Sequence, residues 1–244
     1  MLIPSPRHTA KDLELWAELE SADKIIGARP RLADKAARSI AAIREFASRG
    51  PCYASVSWGK DSVVLAHLCV RAGTRIPLVH IKAVPVTNPE SYRVRDAFLA
   101  AFDVDYRELI ADYTAIPEGL SSDETEVAKD RIFYAAFRSL GLPHLSGIRA
   151  DESRGRKIRM KKFGESSANA CAPIGWWKTA DIFGYLAVHG LPVHPNYGML
   201  GGGRWKREHL RVDELFGDRG TGFGRAEWER EYYGETYRRM QSSR

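Results

Sequence analysis

In Tyr53-Ala-Ser-Val-Ser-Trp-Gly-Lys-Asp-Ser62, a short apolar run leads into a polar turn. Tyr53 to Val56 predicts a buried strand, and the apolar run from Ser62 to Val70 predicts the helix that follows. A helix start presents unpaired backbone N–H groups and the positive end of the helix dipole, and a glycine there lets phosphate oxygens approach closely. The segment therefore predicts a phosphate-binding loop.

The predicted loop contains several groups that suit phosphate. Its members are Ser57, Trp58, Gly59, Lys60, Asp61 and Ser62. The serine hydroxyls are donors, Lys60 is a cation, and Asp61 is a candidate ligand for a magnesium ion that bridges phosphates. The spacing does not fit the GxxxxGK[ST] pattern of ordinary nucleotide-binding loops, so a different class of loop is needed.

Strand and helix patterns alternate along the rest of the central region. Strands are predicted at Pro77 to Lys82, Asp105 to Ile110, His144 to Ile148 and Ala170 to Pro173. Helices are predicted at about Pro89 to Phe102, Glu124 to Leu140 and, with Thr179 as its cap, up to His189. This alternation predicts an α/β fold, a parallel twisted sheet with helices on both faces.

The two ends of the chain have a different pattern. Two helices are predicted before the sheet, one from about Lys11 to Ile26 with Thr9 as its cap and one from about Leu32 to Ser48. A glycine cluster at 201–203 and a terminal helix from Ala226 follow the sheet. We therefore divide the chain into an N-terminal helical segment (1–50), a nucleotide-binding α/β domain (51–200) and a C-terminal helical appendage (201–244).

Composition limits the cellular and metal-binding possibilities. The 244 residues are 44% hydrophobic, enough for a sizeable core. No apolar run reaches the roughly 18 residues of a membrane span, and the N-terminus lacks the features of a signal peptide, so we expect a cytoplasmic protein without a membrane partner. The three cysteines lie far apart, which predicts neither a disulfide framework nor an iron–sulfur cluster. The histidines form no HxH or HExxH cluster.

The positive charge is concentrated in one segment. The net charge is +6, and Arg149 to Lys162 holds seven basic residues against two acids. This predicted basic loop suits an anionic partner, nucleic acid included. The tail adds aromatic and basic side chains that suit a nucleic-acid surface with stacking, namely Trp205, Arg207, Arg211, Trp228, Tyr232, Tyr233, Tyr237, Arg238 and Arg239. Because the tail also carries eight acids against ten basic residues, packing or a protein contact is the alternative.

Three segments together resemble one superfamily. The hexamer Ser57 to Ser62 resembles the SGGxDS loop of the PP-loop ATP pyrophosphatases, with Trp58 in place of the usual glycine. Gly147-Ile-Arg-Ala-Asp-Glu-Ser-Arg154 resembles the GxRxxES segment of the phosphoadenylyl-sulfate reductase branch. Ala172 to Leu186 and Leu191 to Tyr197 are similar to that branch's tryptophan, helix and turn segment.

The resemblance implies a fold and a site. The fold would be adenine nucleotide alpha hydrolase-like, that is Rossmann-like, with ATP and magnesium bound at the carboxyl edge of the sheet. Lys60, Asp61, Arg149 and Arg154 would be catalytic. The six loop residues, Gly147, Arg149 and Glu152 would bind the nucleotide, and Asp61 would hold magnesium. Glu152 is also expected to orient one of the arginines.

The resemblance also implies sulfur chemistry. The reductases attack with a cysteine near the C-terminus, and this sequence has no cysteine after Cys171. We therefore predict an ATP pyrophosphatase that cleaves ATP at the α-phosphate and activates a substrate for sulfur transfer, as in DNA phosphorothioation. A sulfur-donor protein such as a cysteine desulfurase and a homodimeric assembly are expected.

Two alternatives stay open for the whole chain. One is a phosphoadenylyl-sulfate or adenylyl-sulfate reductase, and the other is a non-catalytic nucleotide-binding scaffold for a sulfur carrier. Cys171 itself has two interpretations. Nearby cations would lower its pKa and suit it to carry a persulfide, whereas burial in a strand, the interpretation we favour, would make it inert.

Overall fold

The computed structural model describes residues 1–210, 212, 215 and 225–242. Two helices precede its central sheet. Helix α1 spans Ala10–Gly27 and helix α2 spans Pro30–Ser48. Thr9 caps α1 as predicted, because its hydroxyl accepts a hydrogen bond from the Asp12 N–H and the Asp12 carboxylate accepts one from the Thr9 N–H. This reciprocal pair satisfies two N–H groups that a helix start leaves unpaired.

The central region alternates strands and helices in the predicted order. The strands are β1 (Tyr53–Ser55), β2 (Leu78–Val84), β3 (Tyr106–Asp112), β4 (His144–Leu145) and β5 (Ala170–Cys171). The helices are α3 (Lys60–Ala72), α4 (Glu90–Ala101), α5 (Ser122–Arg138), α6 (Arg154–Phe163), α7 (Thr179–Val188) and α8 (Arg225–Ser242). No helix within the described ranges is both long enough and apolar enough to cross a bilayer.

The five strands form one parallel sheet in the order β3-β2-β1-β4-β5. Ala54 of β1 pairs with Leu78 of β2 on one side and with Leu145 of β4 on the other. The strand order reverses at this point, and ligands of open α/β sheets bind in the crevice beyond the carboxyl ends of such strands. The predicted α/β fold with a parallel sheet is confirmed, and the segments after β1 and β4 lie side by side.

One hydrophobic core contains residues from every part of the chain. Its buried members include Trp16 of α1, Phe46 of α2, Leu65 of α3 and Trp228 and Tyr233 of α8. The ranges 1–50, 51–200 and 201–244 therefore share a core. The contact between α1 and α7 is especially close, because a Cβ atom added to Gly27 would lie 2.3 Å from the carbonyl oxygen of Gly184.

The structure differs from the sequence prediction after β4. The predicted strand to Ile148 ends at Leu145, and most of the predicted basic loop is helix α6. Ser153 caps α6, since its hydroxyl accepts a hydrogen bond from the Arg156 N–H at 3.1 Å. Thr179 is the first residue of α7 rather than its cap, and the Asp181 carboxylate accepts the Lys178 N–H at 2.7 Å instead.

Candidate nucleotide site

The loop between β1 and α3 contains a tryptophan in an unusual backbone conformation. Trp58 has a φ of 61°, in the left-handed region that L-residues other than glycine rarely adopt. This conformation explains why the resembling loops carry glycine at that position. The Trp58 side chain is fully buried, with ring centroids 5.7 Å from those of Phe98 and Tyr106. The loop therefore keeps its turn while the indole packs into the core.

Helix α3 begins immediately after this turn. Gly59 is its N-terminal cap residue, with extended backbone and no side chain to cover the helix end. The Lys60 N–H lies 3.4 Å from the Tyr197 hydroxyl, and the Ser62 hydroxyl donates to the Gly59 carbonyl at 3.0 Å. Ser57 is exposed beside this helix end. The start of α3 thus combines backbone N–H groups, the positive end of the dipole and an exposed hydroxyl, as an anion site requires.

Asp61 lies between two cations at this helix end. Lys60 Nζ is 2.7 Å from its Oδ2, and Arg149 Nε is 2.6 Å from its Oδ1. Lys60 is itself buried, which alone would lower the pKa of its amine, but the neighbouring Tyr197 and Asp61 raise the pKa above its ordinary value. Lys60 therefore stays protonated, and the cluster Lys60-Asp61-Arg149 carries a net positive charge.

Arg149 is held on several sides. Its side chain is 1% exposed, and Nη1 donates to the Trp177 carbonyl at 3.2 Å and to the Thr179 hydroxyl at 3.4 Å. The Asp151 carboxylate accepts the Thr179 N–H at 3.0 Å and lies 3.6 Å from the guanidinium. These contacts fix the guanidinium with its Nε directed at Asp61.

A glycine allows the segment after β4 to approach α3. A Cβ atom added to Gly147 would lie 3.2 Å from the Asp61 carbonyl carbon and 3.3 Å from the Ser62 nitrogen. Both neighbours are backbone atoms of the first turn of α3, so they cannot rotate away as a flexible side chain would. Gly147 therefore allows Arg149 to reach Asp61.

The structure separates the remaining predicted residues from this cluster. Glu152, expected to orient one of the arginines, accepts a hydrogen bond from the Arg149 backbone N–H at 3.1 Å and pairs with the side chain of Arg156 rather than that of Arg149. Arg154 is exposed at the first position of α6 and has no ion pair with any described residue. The predicted catalytic set is thus only partly brought together.

Sequence reasoning missed three contributors to the site. Thr179 and the Trp177 carbonyl hold Arg149, and the Tyr197 hydroxyl lies beside the first N–H of α3. Thr179 was assigned to helix capping, and a backbone carbonyl has no sequence signal. Tyr197 had a signal, because it lies in a histidine-proline-asparagine-tyrosine turn within the segment already singled out.

The residues at this site fit a phosphate chain better than a protein-built metal cage. Among the described residues, no group of three or more His, Cys, Asp or Glu side chains converges to hold a metal ion. Each Asp61 oxygen already accepts from a cation, and each keeps a second lone pair. Asp61 therefore suits at most one position around a magnesium ion whose other ligands are phosphates and water, as is usual for magnesium in nucleotide sites.

Comparison with known proteins identifies the family. The phosphoadenosine phosphosulfate reductase domain matches residues 51–199, a range that includes the loop, Arg149 and Tyr197. The chain belongs to this reductase domain family. Two curated phosphoadenosine 5'-phosphosulfate reductases are 26% identical to it, one from Synechococcus over 75% of this chain and 86% of its own length, and one from Xanthomonas axonopodis over 74% and 76%.

A solved structure resembles this family member more distantly. The NMN synthetase of Francisella tularensis aligns with a TM-score of 0.49 and 13% identity over 66% of this chain and 71% of its own.

In this member of the reductase domain family, the cysteines are inaccessible. Cys52, Cys69 and Cys171 are all buried. Burial raises the pKa of Cys171 to about 11, the opposite of what a persulfide carrier activated by cations requires. The favoured interpretation of Cys171 as a buried thiol is confirmed.

The aromatic side chains of the tail are buried in the core rather than exposed to solvent. Trp205, Trp228, Tyr232 and Tyr233 are at most 8% exposed, so they cannot stack on bases. Arg207 is also buried, and its two terminal nitrogens lie 2.6 and 2.7 Å from the carboxylate oxygens of Asp23. The interpretation of these residues as a nucleic-acid surface is therefore wrong, because they fix the tail to the core. Arg211 and the side chains of Tyr237 and Arg239 lie outside the described residues.

Proposed function

We propose that this chain is an ATP pyrophosphatase that activates a substrate for sulfur transfer. The observation that carries the proposal is the cluster Lys60-Asp61-Arg149 at the start of α3, beside the switch point of the sheet. Its net positive charge and the start of α3, which no side chain of its cap residue covers, suit the phosphate chain of ATP. The match to a domain named for phosphoadenosine phosphosulfate supports an adenine nucleotide at this position.

The proposed reaction is an attack on the α-phosphorus. An acceptor oxygen forms a bond to that phosphorus while the bond to the β-phosphate oxygen breaks, and pyrophosphate leaves with the electron pair. Lys60 and the first N–H groups of α3 would stabilise the charge that develops on the phosphate oxygens. Magnesium bound with ATP would neutralise further charge on those oxygens.

We assign different roles to the two cations of the cluster. Lys60 lies at the helix end and would contact phosphate, so it is the proposed catalytic residue. Arg149 is almost fully buried, with acceptors around its guanidinium, and we infer that it positions Asp61 and, through it, Lys60. Arg154 and Glu152 form no ion pair with the side chains of the cluster and would act on the substrate's outer part.

The reductase remains a second candidate because both curated relatives carry that activity in their names. Attack on sulfate sulfur requires a nucleophilic thiolate. The three cysteines of this sequence are buried, and the pKa of Cys171 is raised. This observation favours ATP activation over reduction by a cysteine within these 244 residues.

The test compares the three candidate activities in one set of assays. Purified protein is supplied with magnesium and ATP, with DNA as acceptor and with or without a persulfide donor, and pyrophosphate is measured. A parallel assay measures sulfite released from phosphoadenylyl sulfate with a dithiol reductant. Pyrophosphate without sulfite supports the proposal, and sulfite without pyrophosphate establishes the reductase. ATP binding without either product, with an affinity that Asp61→Ala lowers, establishes the non-catalytic scaffold.

A sulfur acceptor in DNA is the specific form of this proposal. DNA phosphorothioation replaces a backbone oxygen with sulfur, so the activated group would be a phosphate of the strand. A cysteine desulfurase would supply the sulfur as a persulfide, which would bond to the strand phosphorus as AMP leaves with the activated oxygen, and a thiol reductant would then cleave the remaining S–S bond. Mass spectrometry of DNA digests from cells that express the protein with such a donor would show a phosphorothioate dinucleotide, and its absence with active protein would exclude DNA as the acceptor.

A further inference from the structure

Helix α6 carries an unbalanced positive charge on an exposed surface. Six of its ten residues are lysine or arginine and none is acidic. All six are exposed, and within the described part of the chain only Arg156 has an ion-pair partner, Glu152. Five cations therefore face solvent without a carboxylate, namely Arg154, Lys157, Arg159, Lys161 and Lys162. An exposed helix normally carries both signs of charge, so this one is suited to an anionic partner.

One side chain fixes α6 beside the nucleotide site. Met160 is the buried residue of the helix and packs with Ala150 and Ala172. A Cβ atom added to Gly175 would lie 2.8 Å from the Met160 methyl carbon, so the helix also contacts the segment that leads to Trp177. The Trp177 carbonyl in turn accepts a hydrogen bond from Arg149. The basic helix is therefore held against the residues that position Asp61.

Two exposed aromatic side chains flank the charged helix. Phe163 at its end is 64% exposed, and Lys162 Nζ lies 5.1 Å from the centre of its ring. Trp176 is 44% exposed and directly follows Gly175, which lies against Met160 of the helix. Cations that alternate with exposed aromatic faces are the combination that binds single-stranded nucleic acid, because phosphates pair with the cations and bases stack on the rings.

The distribution of apolar residues argues against a membrane surface. Ile158 and Phe163 are the exposed apolar residues of α6. Five residues at 3.6 per turn place them about 140° apart around the helix axis, so they do not form one apolar stripe. A duplex would satisfy the cations but would leave the aromatic faces without bases to contact.

We propose that the α6 surface, defined as the five cations with Phe163 and Trp176, binds single-stranded nucleic acid and presents it to the nucleotide site. The inference rests on the proposed function, for which it names the class of acceptor. The helix is about 15 Å long, enough to follow several phosphates of one strand.

Binding is tested by fluorescence anisotropy with a labelled, unstructured DNA strand of about 16 nucleotides, titrated at several salt concentrations. In the full chain, the triple variant Lys157→Ala/Arg159→Ala/Lys161→Ala should bind at least about tenfold more weakly, and the slope of log affinity against log salt should decrease in magnitude by about 2. The matched control is Arg31→Ala/Arg75→Ala/Arg131→Ala, which removes the same charge from exposed positions on other elements and should leave the slope close to that of the unaltered chain.

The aromatic variants test the single-stranded assignment. Phe163→Ala and Trp176→Ala should each weaken binding of the single strand about tenfold and leave the weaker binding of a duplex of equal length unchanged. Equal affinity for the duplex, for heparin or for anionic vesicles, or aromatic variants without effect, would overturn this assignment. Unchanged binding in the Lys157→Ala/Arg159→Ala/Lys161→Ala variant would show that the α6 surface does not bind the strand.

Pyrophosphate release without DNA, measured on the same preparations, separates the two proposals. If the protein releases pyrophosphate with another acceptor but does not bind the strand, the proposed function stands and this inference is refuted. If the protein binds the strand through α6 but never releases pyrophosphate, the proposed function is refuted and the α6 surface is supported.

Discussion

Arg149 Nε lies 2.6 Å from Asp61 Oδ1, although 88 residues separate them in the chain. The two residues meet because β1 and β4 are neighbours in the sheet and both segments continue past its carboxyl edge. Lys60 occupies the other oxygen of the same carboxylate. A single aspartate thereby connects the helix end, the proposed catalytic lysine and the segment after β4.

Arg149→Lys should strongly impair catalysis while the fold persists. Lysine keeps the charge but cannot reach Asp61, Trp177 and Thr179 at once, because it lacks the planar fork of donors. A misplaced Asp61 would move Lys60, and displacements of this kind cost about 100-fold in rate. Pyrophosphate release measured against ATP concentration should show the loss mainly in kcat. The control is Arg204→Lys, an exposed arginine paired with Glu227 and Glu231, for which a comparable loss would contradict the account.

Gly147→Ala should lower activity more than stability. The new methyl group would press on backbone atoms of Asp61 and Ser62 at 3.2 to 3.3 Å, so the start of α3 must shift by a few tenths of an ångström. Gly155→Ala is the matched control, because its methyl group would meet nothing within 4 Å and alanine favours the helix by roughly 1 kcal/mol. Equal rates of pyrophosphate release in the two variants would show that the close approach is unimportant.

Trp58→Gly should destabilise the protein even though it restores the glycine of the resembling loops. Glycine would relieve the left-handed backbone by about 1–2 kcal/mol, but removal of a fully buried indole costs about 3–5 kcal/mol. The net expectation is a loss of about 2 kcal/mol in the free energy of unfolding, measured by urea denaturation, with a smaller loss for Trp58→Phe. A more stable glycine variant would mean that strain outweighs packing at this position.

Two buried histidines predict that stability falls in mild acid. Burial lowers the pKa of His67 to about 4 and that of His194 to about 3, with further lowering from nearby arginines. Between about pH 6.5 and pH 4 the unfolded chain binds protons that the folded chain does not, so the free energy of unfolding decreases as pH falls. Each histidine contributes roughly 1 kcal/mol per pH unit in this window. Urea denaturation of His67→Gln between about pH 6.5 and pH 4 should show a free energy of unfolding that depends less steeply on pH. An unchanged dependence on pH would show that His67 does not contribute.

Local signals were sufficient to predict most elements. Thr9 and Asp12 mark the start of α1, and Gly73, with a φ of 68°, marks the end of α3. Helix α6 was missed because its lysines and arginines favour helix but leave no apolar stripe to indicate a buried face. Only Met160 faces inward, and one residue establishes no periodicity.

The sequence predicts only the part of the site that follows from the order of the strands. Loops after neighbouring parallel strands must share an edge, which brings Lys60, Asp61 and Arg149 together. The left-handed backbone of Trp58 depends on its packing against Phe98 and Tyr106, which sequence alone does not indicate. The contacts of Arg149 with Thr179 depend in the same way on tertiary packing.

Cleavage of ATP at the α-phosphate is the reaction that we propose for this chain. It is tested by chromatography of the products formed from ATP labelled at the α-phosphate, with magnesium and each candidate acceptor, for the unaltered chain and for Asp61→Asn. We expect the label in AMP or in an adenylated acceptor, with pyrophosphate measured alongside, and a loss of both products in Asp61→Asn. Formation of ADP and phosphate, or intact ATP under every condition while phosphoadenylyl sulfate yields sulfite, would contradict it.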